Sequence, residues 1–292
     1  MTLTFFMQNL MNGIALGFIF ALIAIGYTMV YGVVKLVNFA HGDIFMMATF
    51  FVYFSITLFG LPWYLAFMAG IILTIILGVV VERFAYRPLR TAPRISSLCS
   101  AIGMSFLLEN LAVVVFGGRQ KSFYRPDFFS RTFTVAGVRV LTVTLVTIGI
   151  SLLALLVLNY LLYRRKIGLG MRALSRDFDT ARLMGINVDQ TITFTFAIGS
   201  GLAAIGAILW ALRYPQIWPF MGVFPGWRAF TAAIIGGIGS IRGAMVGGLL
   251  IGIITIMVVA LLPSLAGIKD IFIFMILVAV LLFKPDGLFG EE

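Results

Sequence analysis

IFMMATFFVYFSITLFGLPWYLAFMAGIILTIILGVVV, residues 44–81, contains no charged side chain. A helix crosses ~30 Å of hydrocarbon with about 20 residues, so this run is too long for one crossing. Gly60-Leu61-Pro62 offers a turn near its middle, and the run reads as two membrane helices joined by a tight loop. Composition extends that reading to the whole chain. Of 292 residues, 61% are hydrophobic and 11% charged, against roughly 25% charged in a soluble domain. With a mean hydropathy of +1.10, the chain needs a solvent that does not hydrogen-bond, and the bilayer is that solvent.

Charges and Pro/Gly punctuation mark the other spans. The first lies within Thr4 to Tyr31, and no charge precedes Lys35. A cleaved leader would carry a basic segment there, so a retained first span is expected. A fourth runs from about Ile95 to Phe116 and contains Glu109, a fifth from Val140 to Tyr163, and a sixth from about Thr191 to Leu212. Tyr214 to Trp227 carries Pro215, Pro219 and Pro225 and reads as an irregular interfacial or re-entrant segment. The uncharged residues 229–241 are too few to cross unaided and predict a half-span or a broken span. Gly243 to Leu262 crosses, and the last span ends at Phe283, starting near Ser264. The expected fold is an all-α polytopic integral membrane protein, a single domain over 1–292 with eight or nine transmembrane or half-membrane helices.

The charge balance is basic, with 21 Lys+Arg against 11 Asp+Glu. These cations sit between apolar runs, where they act as cytoplasmic anchors rather than as a nucleic-acid surface. Residues 82–94 hold four Arg against Glu82, and 163–190 hold six cations against three acids, which predicts both loops inside. Two spans separate them, so 117–139 falls outside although it carries five cations and only Asp127. Counting back puts the N-terminus outside if the first three crossings are complete. The tail from Phe283 reads as inside, and a complete crossing at 228–242 satisfies both ends. Cys99 is the only cysteine, so no intrachain disulfide forms.

No GxxxxGK[ST] loop is present to cradle ATP. With one histidine, no HExxH and no carboxylate cluster, neither a catalytic centre nor a metal site nor a cofactor is expected. Gly239, Gly243 and Gly247 recur every four residues, as do Gly13 and Gly17, a spacing that lets helix backbones approach closely. Two polar interruptions are candidates for a substrate path. Asn38, His41 and Asp43 interrupt apolar sequence after the first span, and Asn38 can cap a helix beginning at Phe39, whose N-terminus would suit an anionic group. The alternative is an ordinary interfacial loop. Glu109, deep in the fourth span, is protonated, paired with an outer-loop Arg, or facing a watery path.

The third candidate is residues 164–190. Ser175 or Asp177 caps a short helix running through Met184, with Gly185 at its C′ position. Phe178, Ala181, Leu183 and Met184 give this helix an apolar side, fit to dock a soluble partner or to lie on headgroups. Here the sequence resembles a known family. Ala181 and Gly185 match the coupling-helix motif of permeases in ATP-binding-cassette importers. GMRALSRDFDTARLMGINV at 170–188 is similar to the branched-chain amino-acid permease family, LivH-type subunit. LVNFAHGD at 36–43, ERFAYRPLR at 82–90, TAAIIGGIGSIRGAMVGGLLIG at 231–252 and FKPDGLFG at 283–290 extend the resemblance over nearly the whole chain. Asp43 stands where Glu is common, and Asp177-Phe178 where Asn-Pro-like residues are.

The resemblance implies a multi-pass permease in the bacterial inner membrane, itself not an enzyme. Its partners would be a second homologous permease, two cassette ATPases and a periplasmic substrate-binding protein, with membrane lipid around it. It would carry branched-chain amino acids or small solutes such as urea or amides, by alternating access. Arg172, Asp177, Ala181, Met184 and Gly185 would then form the ATPase-coupling element of a cytoplasmic loop. The rivals are an ion-coupled secondary transporter, which works as one chain without a docking helix, and a non-transporting subunit of a membrane complex.

Overall fold

A computed structural model describes residues 3–90, 92–135 and 138–290; Glu291 and Glu292, at the end of the tail, lie outside the described residues. In chain order the elements are α1 (Leu3–Val34), α2 (His41–Thr57) and α3 (Trp63–Val81). A π-helical turn (Glu82–Tyr86) and a 3₁₀ turn (Arg87–Leu89) follow. Then come α4 (Arg94–Phe116), β1 (Lys121–Ser122), α5 (Asp127–Ser130), β2 (Thr132–Val135) and β3 (Val138–Leu141). The second half holds α6 (Thr142–Arg164), α7 (Lys166–Arg176), α8 (Phe178–Leu183), α9 (Val188–Arg213) and β4 (Gln216–Ile217). It closes with α10 (Val223–Gly236), α11 (Ile241–Leu261), a 3₁₀ turn (Pro263–Ile268) and α12 (Lys269–Phe283).

Among the described residues, seven helical segments are long and apolar enough to cross a membrane. The 17-residue α2 and 14-residue α10 bring the bundle to nine. The chain is a multi-pass helical membrane protein. Its α1 is apolar all round, and such a helix belongs inside a bundle; nearly all of it from Gly13 to Val33 is buried. Around it, α3, α4, α6 and α12 leave large apolar side chains exposed, as a lipid-facing surface requires.

The bundle has two ends. One carries the strands: β1 pairs antiparallel with β4, and β2 with β3. The other carries α7 and α8. The strands lie outside the all-α expectation and occur where the chain leaves the apolar runs. Pairing β1 with β4 ties the α4–α6 connection to the residues before α10. From there α10 runs towards the α7/α8 end, where Leu288 and Phe289 of the tail donate backbone hydrogen bonds to Ile235 and Gly236. The segment from β4 through α10 thus joins the two ends, the helix itself measuring only about 21 Å at 1.5 Å per residue. The expectation that 214–227 contains no helix is corrected: α10 starts at Val223. Pro225 falls in its first turn, where no N–H is needed.

Glycines seat α11 in the bundle. A Cβ built on Gly17 would lie 2.7 Å from Leu249 Cα, and one on Gly13 2.9 Å from Ile253 Cα. From the other side, Gly248 meets Ala21, Gly252 meets Gly17, Gly247 meets Ala232 and Gly243 meets Gly236. Gly239 is a correction. It lies between α10 and α11 with φ +102 and open space where a Cβ would point, so it makes the turn rather than packing a helix.

Candidate functional site

α2 does not begin at the bundle surface. After α1 the chain turns at Lys35, which has φ 57, and re-enters through non-helical residues. The ring of His41 packs edge-on against Tyr27 with centroids 4.6 Å apart. Tyr27 lies two turns before the end of α1, so α2 starts roughly 10 Å inside the bundle. There Gly42 meets Gly222 and Gly226 of α10: a Cβ on Gly42 would lie 2.8 Å from Gly222 O and 3.3 Å from Gly226 Cα. Two helix N-termini therefore meet backbone to backbone inside the bundle, one helix running to each end. Neither N-terminus is capped by a side chain.

Beside this junction lies a cavity of about 350 Å³. Tyr27, Phe39, Phe106, Trp227 and Phe230 line its apolar side, and Asp43, Ser105 and Glu109 its polar side. Asp43 is 2% exposed and accepts a hydrogen bond from the Ser105 hydroxyl. Glu109 follows Ser105 by one helical turn on the same face of α4. It is 8% exposed, and among the described residues it has no hydrogen-bond or ion-pair partner. The pairing of Glu109 with an outer-loop Arg is thus not what the structure forms. Towards the α7/α8 end the cavity stops at Tyr27 and Phe230, whose rings lie 5.7 Å apart and also line a much smaller void with Tyr31 and Ile238. Its mouth is apolar and exposed, rimmed by Ile102, Phe106 and Trp227.

The four path candidates separate into two pairs. Asp43 and Glu109 line the cavity; Asn38 and His41 are buried behind it. Asn38 caps no helix, because the Tyr86 hydroxyl donates to its Oδ1 at 2.9 Å and α2 starts three residues later, at His41. His41 is held between Tyr27 and the backbone of α1 at Gly26. Sequence reasoning missed Tyr27, Ser105, Phe230 and the α10 N-terminus. Gly222 and Gly226, flanking Pro225, were the available signal.

At the α7/α8 end, Asp177 is the N-cap of α8. Its Oδ1 accepts from Asp179 N at 2.9 Å and Thr180 N at 3.2 Å, and its Oδ2 accepts from the Thr180 hydroxyl at 2.5 Å. That hydroxyl, with the two amides, holds the Asp177 carboxyl below the usual carboxylate range. Gly185 ends the turn at φ +80. The apolar side of α8 is divided: Ala181 is buried within the chain, while Leu183 and Met184 are 87% and 79% exposed. This corrects the expectation that Ala181 faces a partner. Arg172 sits over the Tyr163 ring at 5.0 Å. The preceding helix α7, unforeseen as a separate element, buries Gly168, Gly170, Met171 and Leu174. Nearby, the buried Glu82 is paired with Arg90 and accepts from the Thr193 hydroxyl at 3.0 Å. Arg90 also reaches Asp189 at 2.5 Å, and Arg87 pairs with Asp189, so the end of α3 is clamped to the first turn of α9. Among the described residues, no group of three His, Cys, Asp or Glu comes together to hold a metal.

Interrupted helices that meet at a cavity inside a lipid-facing bundle place the molecule among membrane permeases, where broken helices build solute sites. The family is specific. Residues 9–281 match the family described as branched-chain amino acid transport system / permease component. The high-affinity branched-chain amino acid transport system permease protein BraD of Pseudomonas aeruginosa is 38% identical, over 98% of this chain and 96% of its own. LivH of Escherichia coli, described in the same words, gives the same identity and coverage. Among solved structures, a chain of PsaBC from Streptococcus pneumoniae is similar in fold, at 14% identity and TM-score 0.52, over 98% of this chain and 94% of that one. The chain belongs to the branched-chain amino acid permease family.

Proposed function

We propose that this chain is a LivH-type permease subunit of an ATP-binding-cassette importer that moves branched-chain amino acids across a bacterial inner membrane. A second homologous permease, two cassette ATPases and a periplasmic substrate-binding protein complete the machine. The chain itself hydrolyses nothing; nucleotide binding and hydrolysis on the ATPases drive alternating access. In this reading the α7/α8 end is cytoplasmic and residues 164–190 are the coupling loop.

The observation that carries the reading is the cavity. Asp43 and Glu109 lie inside a bundle whose surroundings are hydrocarbon, and their cavity opens through an apolar, exposed mouth. Intramembrane carboxylates are costly against lipid. A second permease over that mouth turns the half-open cavity into an enclosed route between two chains.

The test is uptake of labelled leucine by proteoliposomes holding this chain, its partner permease, the ATPases and the binding protein. Uptake should require ATP and survive collapse of ion gradients. Leucine uptake by the chain alone on an ion gradient would place it among secondary transporters. Uptake of urea or amides without leucine would move the substrate class.

A further inference from the structure

The cavity beside the α2–α10 junction has two chemically opposite walls. On one, Asp43 and Glu109 present carboxyl groups, and only Asp43 has a hydrogen-bond donor among the described residues, the Ser105 hydroxyl. Glu109 is more than nine-tenths buried, and among the described residues it has no partner and no Lys, Arg or His side chain lines the cavity with it. A carboxylate so placed calls for a cation brought by the ligand. On the opposite wall α10 begins, with Gly222, Val223 and Gly226 lining the cavity. Its first turn holds no acidic residue and its N-terminus no side-chain cap. Val223 N–H donates to Phe220 O, Gly226 N–H to Gly222 O, and Pro225 has no N–H, so among the described residues Gly222 and Phe224 keep N–H groups without a backbone partner, and with the positive dipole end these suit a carboxylate. The matching end of α2 already has Asp43 in its first turn. Phe39, Ile102, Phe106, Trp227 and Phe230 supply the apolar remainder.

We propose that Asp43 and Glu109 bind the ammonium group of a zwitterionic α-amino acid, that the N-terminus of α10 takes its carboxylate, and that the aromatic wall takes its aliphatic side chain. The inference rests on the amino-acid reading above and adds the atoms that enforce it. A solute without the ammonium leaves Glu109 buried and unmatched, and sites built around a polar group reject analogues that lack it.

The experiment is equilibrium competition against labelled leucine on the purified permease assembly, with 3-methylbutylamine (ammonium, no carboxylate) and 4-methylpentanoate (carboxylate, no ammonium) as probes. Glu109→Gln keeps size and removes charge; Asp43→Asn does the same while retaining an acceptor for Ser105. Either variant should weaken leucine and 3-methylbutylamine by about tenfold or more, the scale of a lost charged hydrogen bond, and leave 4-methylpentanoate no weaker. Parallel loss of leucine and both probes, unchanged leucine affinity, or no leucine binding to a wild-type assembly that transports it would overturn the proposal. Failure of the parent reading looks different, because the wild-type assembly then shows no leucine uptake at all.

Discussion

Asp177 holds three hydrogen bonds through one carboxylate, and their charge dependence gives a pH test of the cap. Its carboxyl is held below the ordinary carboxylate value, first by the Thr180 hydroxyl. The stabilisation is therefore complete above the unfolded value, about 4, and is lost as pH falls through the lower native value. Amide exchange at Asp179 and Thr180 should stay slow at neutral pH and lose protection only on acidification past that range. Asp177→Ala should lack the protection at neutral pH, and Asp177→Asn should keep part of it. Protection equal in all three proteins would remove the cap from the account. This cap was legible because its partners lie within three residues. Asn38 was not: its Oδ1 is taken by a tyrosine 48 residues away, and no local pattern announces Tyr86.

Helices α1 and α11 touch through a seam whose tight points are backbone against backbone, so an added side chain has no flexible neighbour to displace. Gly17→Val should cost ~1–3 kcal/mol or more, the range for overpacking, read as an earlier unfolding midpoint in detergent. Gly103→Ala, with nothing near its Cβ, should keep the midpoint or raise it slightly. An unchanged midpoint in Gly17→Val would mean that the seam slides apart at no cost. The same distinction between inward and outward faces governs α8. The buried Ala181 faces the chain, so the exposed Leu183 and Met184 are the side chains available to a partner. Replacing both with Ser should abolish ATPase co-purification and transport while membrane abundance stays normal. Retention of the ATPase at wild-type levels would move the joint elsewhere. The capping residues Asp177 and Gly185 pointed to this helix, but which side is buried depends on α7, whose helical residues Gly168 and Gly170 masked it.

At the scale of the whole molecule, the crossings were legible because hydrocarbon imposes a local rule: about 20 apolar residues make a span. The depth at which α2 begins obeys no such rule. It depends on Gly42 approaching Gly222 and Gly226 from a distant part of the chain, and that approach also creates the cavity. Its mouth is where the proposed second permease would sit. Lipid there would leave Asp43 and Glu109 in contact with hydrocarbon through a gap between α4 and α10, at ~2.5–3.5 kcal/mol or more for a charge at the bilayer centre. A protein cover removes that cost, and the exposed Phe106 and Trp227 give it an apolar rim to pack on. In a background where the exposed Cys99 is replaced by Ser, single cysteines at Phe106 or Trp227, alkylated with benzophenone-4-maleimide and irradiated, should photo-cross-link to a second permease in the assembled transporter. A cysteine at Leu156 on α6, 66% exposed on a lipid-type flank, should instead react with a lipid-soluble maleimide and form no cross-link. If the Phe106 and Trp227 positions label from lipid as readily as Leu156 and join no chain, the cavity mouth faces the bilayer. The two-chain route is then wrong.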